Sequence, residues 1–173
     1  SLRVLGPIFT DLEKEKIAKV HAAGCTRWFL SYVESARDLD EFQELVGRVA
    51  ELRLKIESKN GIRYVANEFR KRDNVSLVAA RGDLYVEVER PHEIARFTKE
   101  IIAADPEATV GSRLLLSTLE SPVPSCADFS ELAWLYDIGY RRMMLCDEMC
   151  LREDLLSRAV DAFDQFREHY TSK

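Results

Sequence analysis

Short apolar runs alternate along this chain with segments whose hydrophobic residues recur at helical spacing, and that alternation is what most narrows the possible folds. Strands separated by helices that long run parallel to one another, so the pattern predicts an α/β fold. Five runs read as strands: TRWFLSY (26–32), LRLKIE (52–57), NVSLVAA (74–80), SRLLLST (112–118) and RRMMLC (141–146). NVSLVAA is almost continuously apolar, as in a strand covered on both faces. In LRLKIE the apolar Leu52, Leu54 and Ile56 alternate with Arg53, Lys55 and Glu57, which projects Lys55 and Glu57 from one face. LRVLGPIF, near the start, reads as an extra strand or an extended lead-in.

The intervening helices carry start and stop signals. Thr10 and Glu13 form a reciprocal N-terminal cap, and Leu12, Ile17, Val20 and Ala23 make an apolar stripe that ends at Gly24. SARD (35–38) opens a second helix, on which Leu39, Phe42, Leu45 and Val46 share a face. Further helices are predicted over 61–70, 91–104, 125–137 and 152–170, while RGDLYVEVERP (81–91) reads as a loop or short turn. Nothing resembling a low-complexity linker interrupts the chain, so residues 1–173 are expected to form a single domain.

Thirty acidic against twenty-five basic residues give a net charge of −5, without the basic excess that phosphate-backbone binding requires, so nucleic acid is not an expected partner. No apolar run approaches the roughly 20 residues of a membrane span, and no basic-then-apolar leader opens the sequence; a cytoplasmic location is expected, with no membrane contact. The four cysteines, Cys25, Cys126, Cys146 and Cys150, are too sparse for a disulfide framework. They read as buried or half-buried thiols, and His21, His92 and His169 as scattered structural or surface residues.

Parallel βα folds bind their ligands at the C-terminal ends of the strands. Lys55, Glu57 and Asp83 fall there, with Glu57 and Asp83 one βα repeat apart, so neighbouring strands would bring both carboxylates to one rim. Two hard oxygen donors suit Mg2+ or Mn2+, Lys55 could neutralise a phosphate or move a proton, and Gly82 lets backbone N–H groups approach an anion. The spacing therefore fits a metal-assisted site for a small carboxylate or phosphate; surface ion pairs would use the same residue types.

The literal residues go further. KIESKNGI (55–62) followed by VAARGDLYVEV (78–88) resembles pyruvate kinase, whose barrel has a Lys-Ile-Glu strand end and then an Ala-Arg-Gly-Asp-Leu-Gly loop. Upstream, FLSYVESARDLDEF (29–42) is similar to the family's Ala-Ser-Phe strand end and the helix after it. Downstream, STLESPVPSCADFSELA (117–133) and MMLCDE (143–148) resemble the segments with Thr-Gln-Met-Leu-Glu-Ser, Pro-Arg-Pro-Thr-Arg-Ala-Glu and Met-Leu-Ser-Gly-Glu. In order, these correspond to strands four to eight of the family's barrel. A complete barrel needs about 250 residues, and the expected fold is a partial (β/α)8 TIM-type barrel of five to six parallel βα units.

The resemblance implies that Glu57 and Asp83 hold Mg2+ (or Mn2+) and that Lys55 stabilises a transferring phosphoryl group. It implies that the backbone of Ala80, Gly82 and Asp83 receives the carboxylate of phosphoenolpyruvate or pyruvate. The family's threonine after strand seven falls on Thr118 or Ser117. Departures accompany the matches: Tyr85 stands where the family has glycine, Cys146 and Asp147 where it has Ser-Gly, and Val123 and Cys126 where it has arginines. The family's strands one to three, which supply nucleotide-facing groups, have no counterpart. Phosphoryl transfer to ADP is then expected only if other sequence completes the barrel, through a homo-oligomer or a companion chain. A metal-dependent lyase or aldolase of the same superfamily, which needs no nucleotide, and a non-catalytic binding or oligomerisation module are the alternatives.

Overall fold

The structure, a computed structural model, describes residues 6–171. Its elements follow one another as α1 (Asp11–Ala22), β1 (Arg27–Leu30), α2 (Ala36–Val46), β2 (Glu51–Ile56), α3 (Lys59–Asn67), β3 (Val75–Ala80) and α4 (Arg81–Glu87). Then come α5 (Glu93–Ala104), β4 (Thr109–Gly111), a 3-10 turn (Leu116–Leu119), α6 (Cys126–Asp137), β5 (Arg142–Met144), α7 (Asp147–Cys150) and α8 (Glu153–Thr171). The strands form one sheet in the order β1-β2-β3-β4-β5, with every pair parallel. Consecutive parallel strands joined by helices are what a partial βα barrel consists of.

The two faces of the sheet differ as the alternation in β2 requires. Leu52, Leu54 and Ile56 are fully buried with the helices, and each such side chain contributes about 1.5–3 kcal/mol on leaving water. Trp28, paired in register with Leu52, packs edge-on against Phe42 of α2 at 5.7 Å, which identifies this as the helix-covered face. Phe29, Arg53 and Thr109 occupy the opposite, concave face: the Arg53 guanidinium lies 6.0 Å from the Phe29 ring centroid and donates to Thr109 Oγ1 at 3.2 Å. Lys55 follows Arg53 on that face, toward the C-terminal end of the strands. β3 is buried along its whole length.

Capping chemistry places the helices. Thr10 with Glu13, Ser35 with Asp38 and Ser125 with Asp128 form reciprocal capping boxes at the starts of α1, α2 and α6. Other boundaries differ from the sequence expectation. The strand expected over 112–118 is instead the three residues Thr109–Gly111, because Ser112, Arg113 and Leu115 turn to positive φ (67°, 60° and 54°) and leave the ladder. Leu114 and Leu115, which mimicked a strand, are buried within that turn; periodicity cannot separate a buried turn from a buried strand.

RGDLYVEVERP, expected to be irregular, begins with α4. Arg81 and Leu84 are its buried residues, three apart on one side, and Asp83 in the first turn complements the helix dipole. The helix expected from Pro91 begins at Glu93. The apolar stripe of α1 exists but is covered only at Ile17, which packs half-buried against the core; Leu12 and Val20 are exposed, and no residue of α1 is fully buried. That helix leads into β1, which has no strand on its outer side among the described residues. Residues 2–5 of the LRVLGPIF lead-in lie outside the described residues, and residues 6–9 form no strand.

Candidate active site

Glu57 lies just past β2, and the register that sets Ile56 beside Ala79 brings it level with Ala80 at the end of β3. Its carboxylate is almost wholly buried, at 1% exposure. Lys55 Nζ pairs with Oε1 at 2.6 Å, and the backbone N–H of Tyr32 donates to Oε2 at 2.6 Å. A buried carboxylate without such partners would cost several kcal/mol, so the pairing is a condition for the group being there as an anion. Lys55 also reaches Ser31 Oγ at 3.4 Å, which ties the ends of β1 and β2 together.

The turn after Glu57 is equally fixed. The Ser58 hydroxyl caps α3 by accepting from Gly61 N at 3.1 Å and donates to Glu34. Gly61 is a site of close approach, since a Cβ there would stand 2.9 Å from the carbonyl oxygen of Val33. The K-I-E-S-x-x-G pattern is thus an anchored carboxylate, a cap, and a glycine where α3 meets the segment after β1.

β3 delivers the second carboxylate. Asp83 is exposed in the first turn of α4, directly beyond Ala80. Tyr32, at the end of β1, senses both acids: its phenol is held above its ordinary value foremost by the charge of Asp83, then by desolvation, Glu57 and Glu87, with Lys55 opposing. Glu57 and Asp83 therefore act on one side chain at the same rim. Among the described residues no group of three or more His, Cys, Asp and Glu gathers in a metal-binding arrangement. A pair of carboxylates is nevertheless the donor set of a magnesium site completed by ligand oxygens and water.

Arg81 secures the opposite wall. It is 7% exposed, pairs with Glu131 at 2.7 Å and donates to the carbonyl oxygen of Ser112 at 2.9 Å, while its Nε has no hydrogen-bond partner. A Cβ on Gly82 would stand 3.3 Å from both Cβ and Oγ of Ser112, so the segment after β4 lies directly against this glycine.

Ser117 and Thr118, expected just after a strand, lie in the 3-10 turn. The Ser117 hydroxyl donates to Asp128 and accepts from Ser125 N at 2.8 Å, whereas the buried Thr118 hydroxyl donates to the carbonyl of Leu115 at 2.6 Å. Both are committed to holding the turn and the start of α6. The hydroxyl that directly follows β4 is that of Ser112.

Backbone strain singles out the same rim. The non-glycine residues of positive φ among those described are Tyr32, after β1, and Ser112, Arg113 and Leu115, after β4. Each costs on the order of 1–3 kcal/mol, and such residues cluster where the surroundings hold a functional geometry. Tyr32 and Ser112 carried no sequence signal of this kind, because their conformations are imposed by contacts from other strands. The cysteines stand apart: all four are free, and burial pushes the Cys146 thiol up, away from reactivity.

A parallel βα sheet of partial-barrel type, with a buried and an exposed carboxylate at the C-terminal ends of adjacent strands, is the class that fold and site define. No family model matches the chain. Over 124 residues, 69% of its length, it is 37% identical to a pyruvate kinase of Agrobacterium vitis, and it is 34% identical to a second pyruvate kinase of that organism, also over 124 residues. The chain therefore carries a pyruvate-kinase-like region. It spans about a quarter (25%) of the length of these curated relatives.

Proposed function

We propose that this rim binds Mg2+ (or Mn2+) through Glu57 and Asp83 together with a small carboxylate or phosphate ligand of the phosphoenolpyruvate/pyruvate type. The observation that carries the reading is the buried Glu57 carboxylate, clamped by Lys55 and Tyr32 N–H and level with the β3 end that leads to Asp83. The hard-oxygen donor pair fits a divalent cation. Bound there, the ion would supply charge neutralisation at the oxygens of the ligand. The backbone of Ala80, Gly82 and Asp83 receives the ligand carboxylate, because Gly82 presents no side chain and the first-turn N–H groups of α4 lie free of intrahelical partners. Lys55 places its ammonium where a phosphoryl group would carry charge, and so stabilises transfer electrostatically.

Phosphoryl transfer to ADP is the activity proposed for the completed assembly, with further strands supplied by other sequence or by a companion chain. The discriminating measurement is calorimetric titration of Mg2+ and oxalate into the protein, oxalate mimicking enolpyruvate. Glu57→Gln and Asp83→Asn should each weaken Mg2+-dependent oxalate binding by about tenfold or more. Unaltered binding in both variants, with the fold intact by circular dichroism, would remove the metal assignment.

A further inference from the structure

We infer that Arg113, shelved on the ring of Tyr85, is a binding residue that pairs with the ligand carboxylate at the Gly82 end of the rim. This rests on the anion-binding reading above. Arg113 follows β4 by two residues, in the turn where Ser112, Arg113 and Leu115 all hold positive φ. That turn is anchored on both sides of Arg113: the carbonyl of Ser112 accepts from the buried Arg81 at 2.9 Å, and Leu114 and Leu115 are each 1% exposed. The side chain of Ser112 rests against Gly82. A strained, immobilised turn thus carries an exposed cation one residue past the side chain that rests against Gly82.

The charge of Arg113 is also unspent. Lys55 pairs with Glu57, Lys59 with Glu89 and Arg81 with Glu131, whereas Arg113 has no carboxylate within ion-pair distance among the described residues. Its guanidinium carbon lies 5.2 Å from the Tyr85 ring centroid. Packing over a ring fixes the plane of the guanidinium while leaving its N–H edge open, and that edge matches the two oxygens of a carboxylate. Tyr85 is the residue that departs from the family's glycine, so the shelf is built by this chain's own substitution.

The test compares Mg2+ alone with Mg2+ plus oxalate, by calorimetry, on the full chain and on Arg113→Gln, Arg113→Lys and Tyr85→Leu. Arg113→Gln should weaken oxalate binding about tenfold while Mg2+ binding alone stays within about twofold. Arg113→Lys should lose less, as a point charge without the fork, and Tyr85→Leu should fall between wild type and Arg113→Gln. Oxalate binding unchanged in Arg113→Gln overturns the inference and leaves the metal site standing. An equal loss of Mg2+ alone overturns it too, since the effect would not be on the carboxylate. Wild-type protein that binds neither Mg2+ nor oxalate defeats both the inference and the reading beneath it.

Discussion

The Ser117 hydroxyl joins the 3-10 turn to the start of α6 by donating to Asp128 and accepting from Ser125 N. Burial alone would raise the Asp128 carboxyl, but hydrogen bonds from Ser117 and Ser125 outweigh it and hold the group below its ordinary value of 3.8. A carboxyl lowered on folding adds stability that is present above that ordinary value and is lost as pH falls through the folded one. Ser117→Ala should therefore cost about 1 kcal/mol at neutral pH and reduce the acid sensitivity of the fold. Urea unfolding near neutral pH and again in acid reads both effects. Full stability at neutral pH would mean that the bond from Ser117 to Asp128 does not hold this turn. Lys55 and Glu57 were legible as residues because strand alternation put both on one face. Tyr32 and Ser112 were not, since a left-handed backbone is chosen by neighbouring strands and not by the residue itself.

At the scale of elements, the entry of α3 is what keeps Glu57 in place. Its first turn meets the Val33 carbonyl so closely that Gly61→Ala would bring a Cβ within 2.9 Å of that oxygen and 3.2 Å of Ile56 Cγ2. Backbone does not yield as a flexible side chain does, so this substitution should destabilise the protein by about 1–3 kcal/mol, measured by thermal or urea unfolding. No loss would mean that α3 is free to shift and does not fix the rim. Capped helices such as α2 and α6 were readable to within a residue, because Ser35 with Asp38 and Ser125 with Asp128 are local signals. β4 was not: the leucine run over 114–116 outweighed the three residues that pair, and only the contacts with β3 and β5 distinguish them.

For the whole molecule, the open sheet is the governing fact. β1 and β5 each have a single neighbour among the described residues, and Phe29 is 54% exposed on the concave face. An unpaired edge with an exposed aromatic side chain on its strand favours association. We expect concentration-dependent self-association or capture of further strands at β1, and Phe29→Lys should shift sedimentation toward the monomer with stability unchanged to within about 0.5 kcal/mol. A wild-type protein that sediments as a monomer at every concentration would count against this surface. The sequence by itself determined the α/β class, the parallel order of strands, the capped helices and the carboxylates at the rim, because alternation, capping and strand-end position are all local properties. Tertiary structure alone decided where β4 ends, that α4 is a helix, that most of the α1 stripe is left exposed, and that Tyr32 and Ser112 take a left-handed backbone just past their strands. Those outcomes depend on which strands lie side by side and on strain that only their packing can sustain.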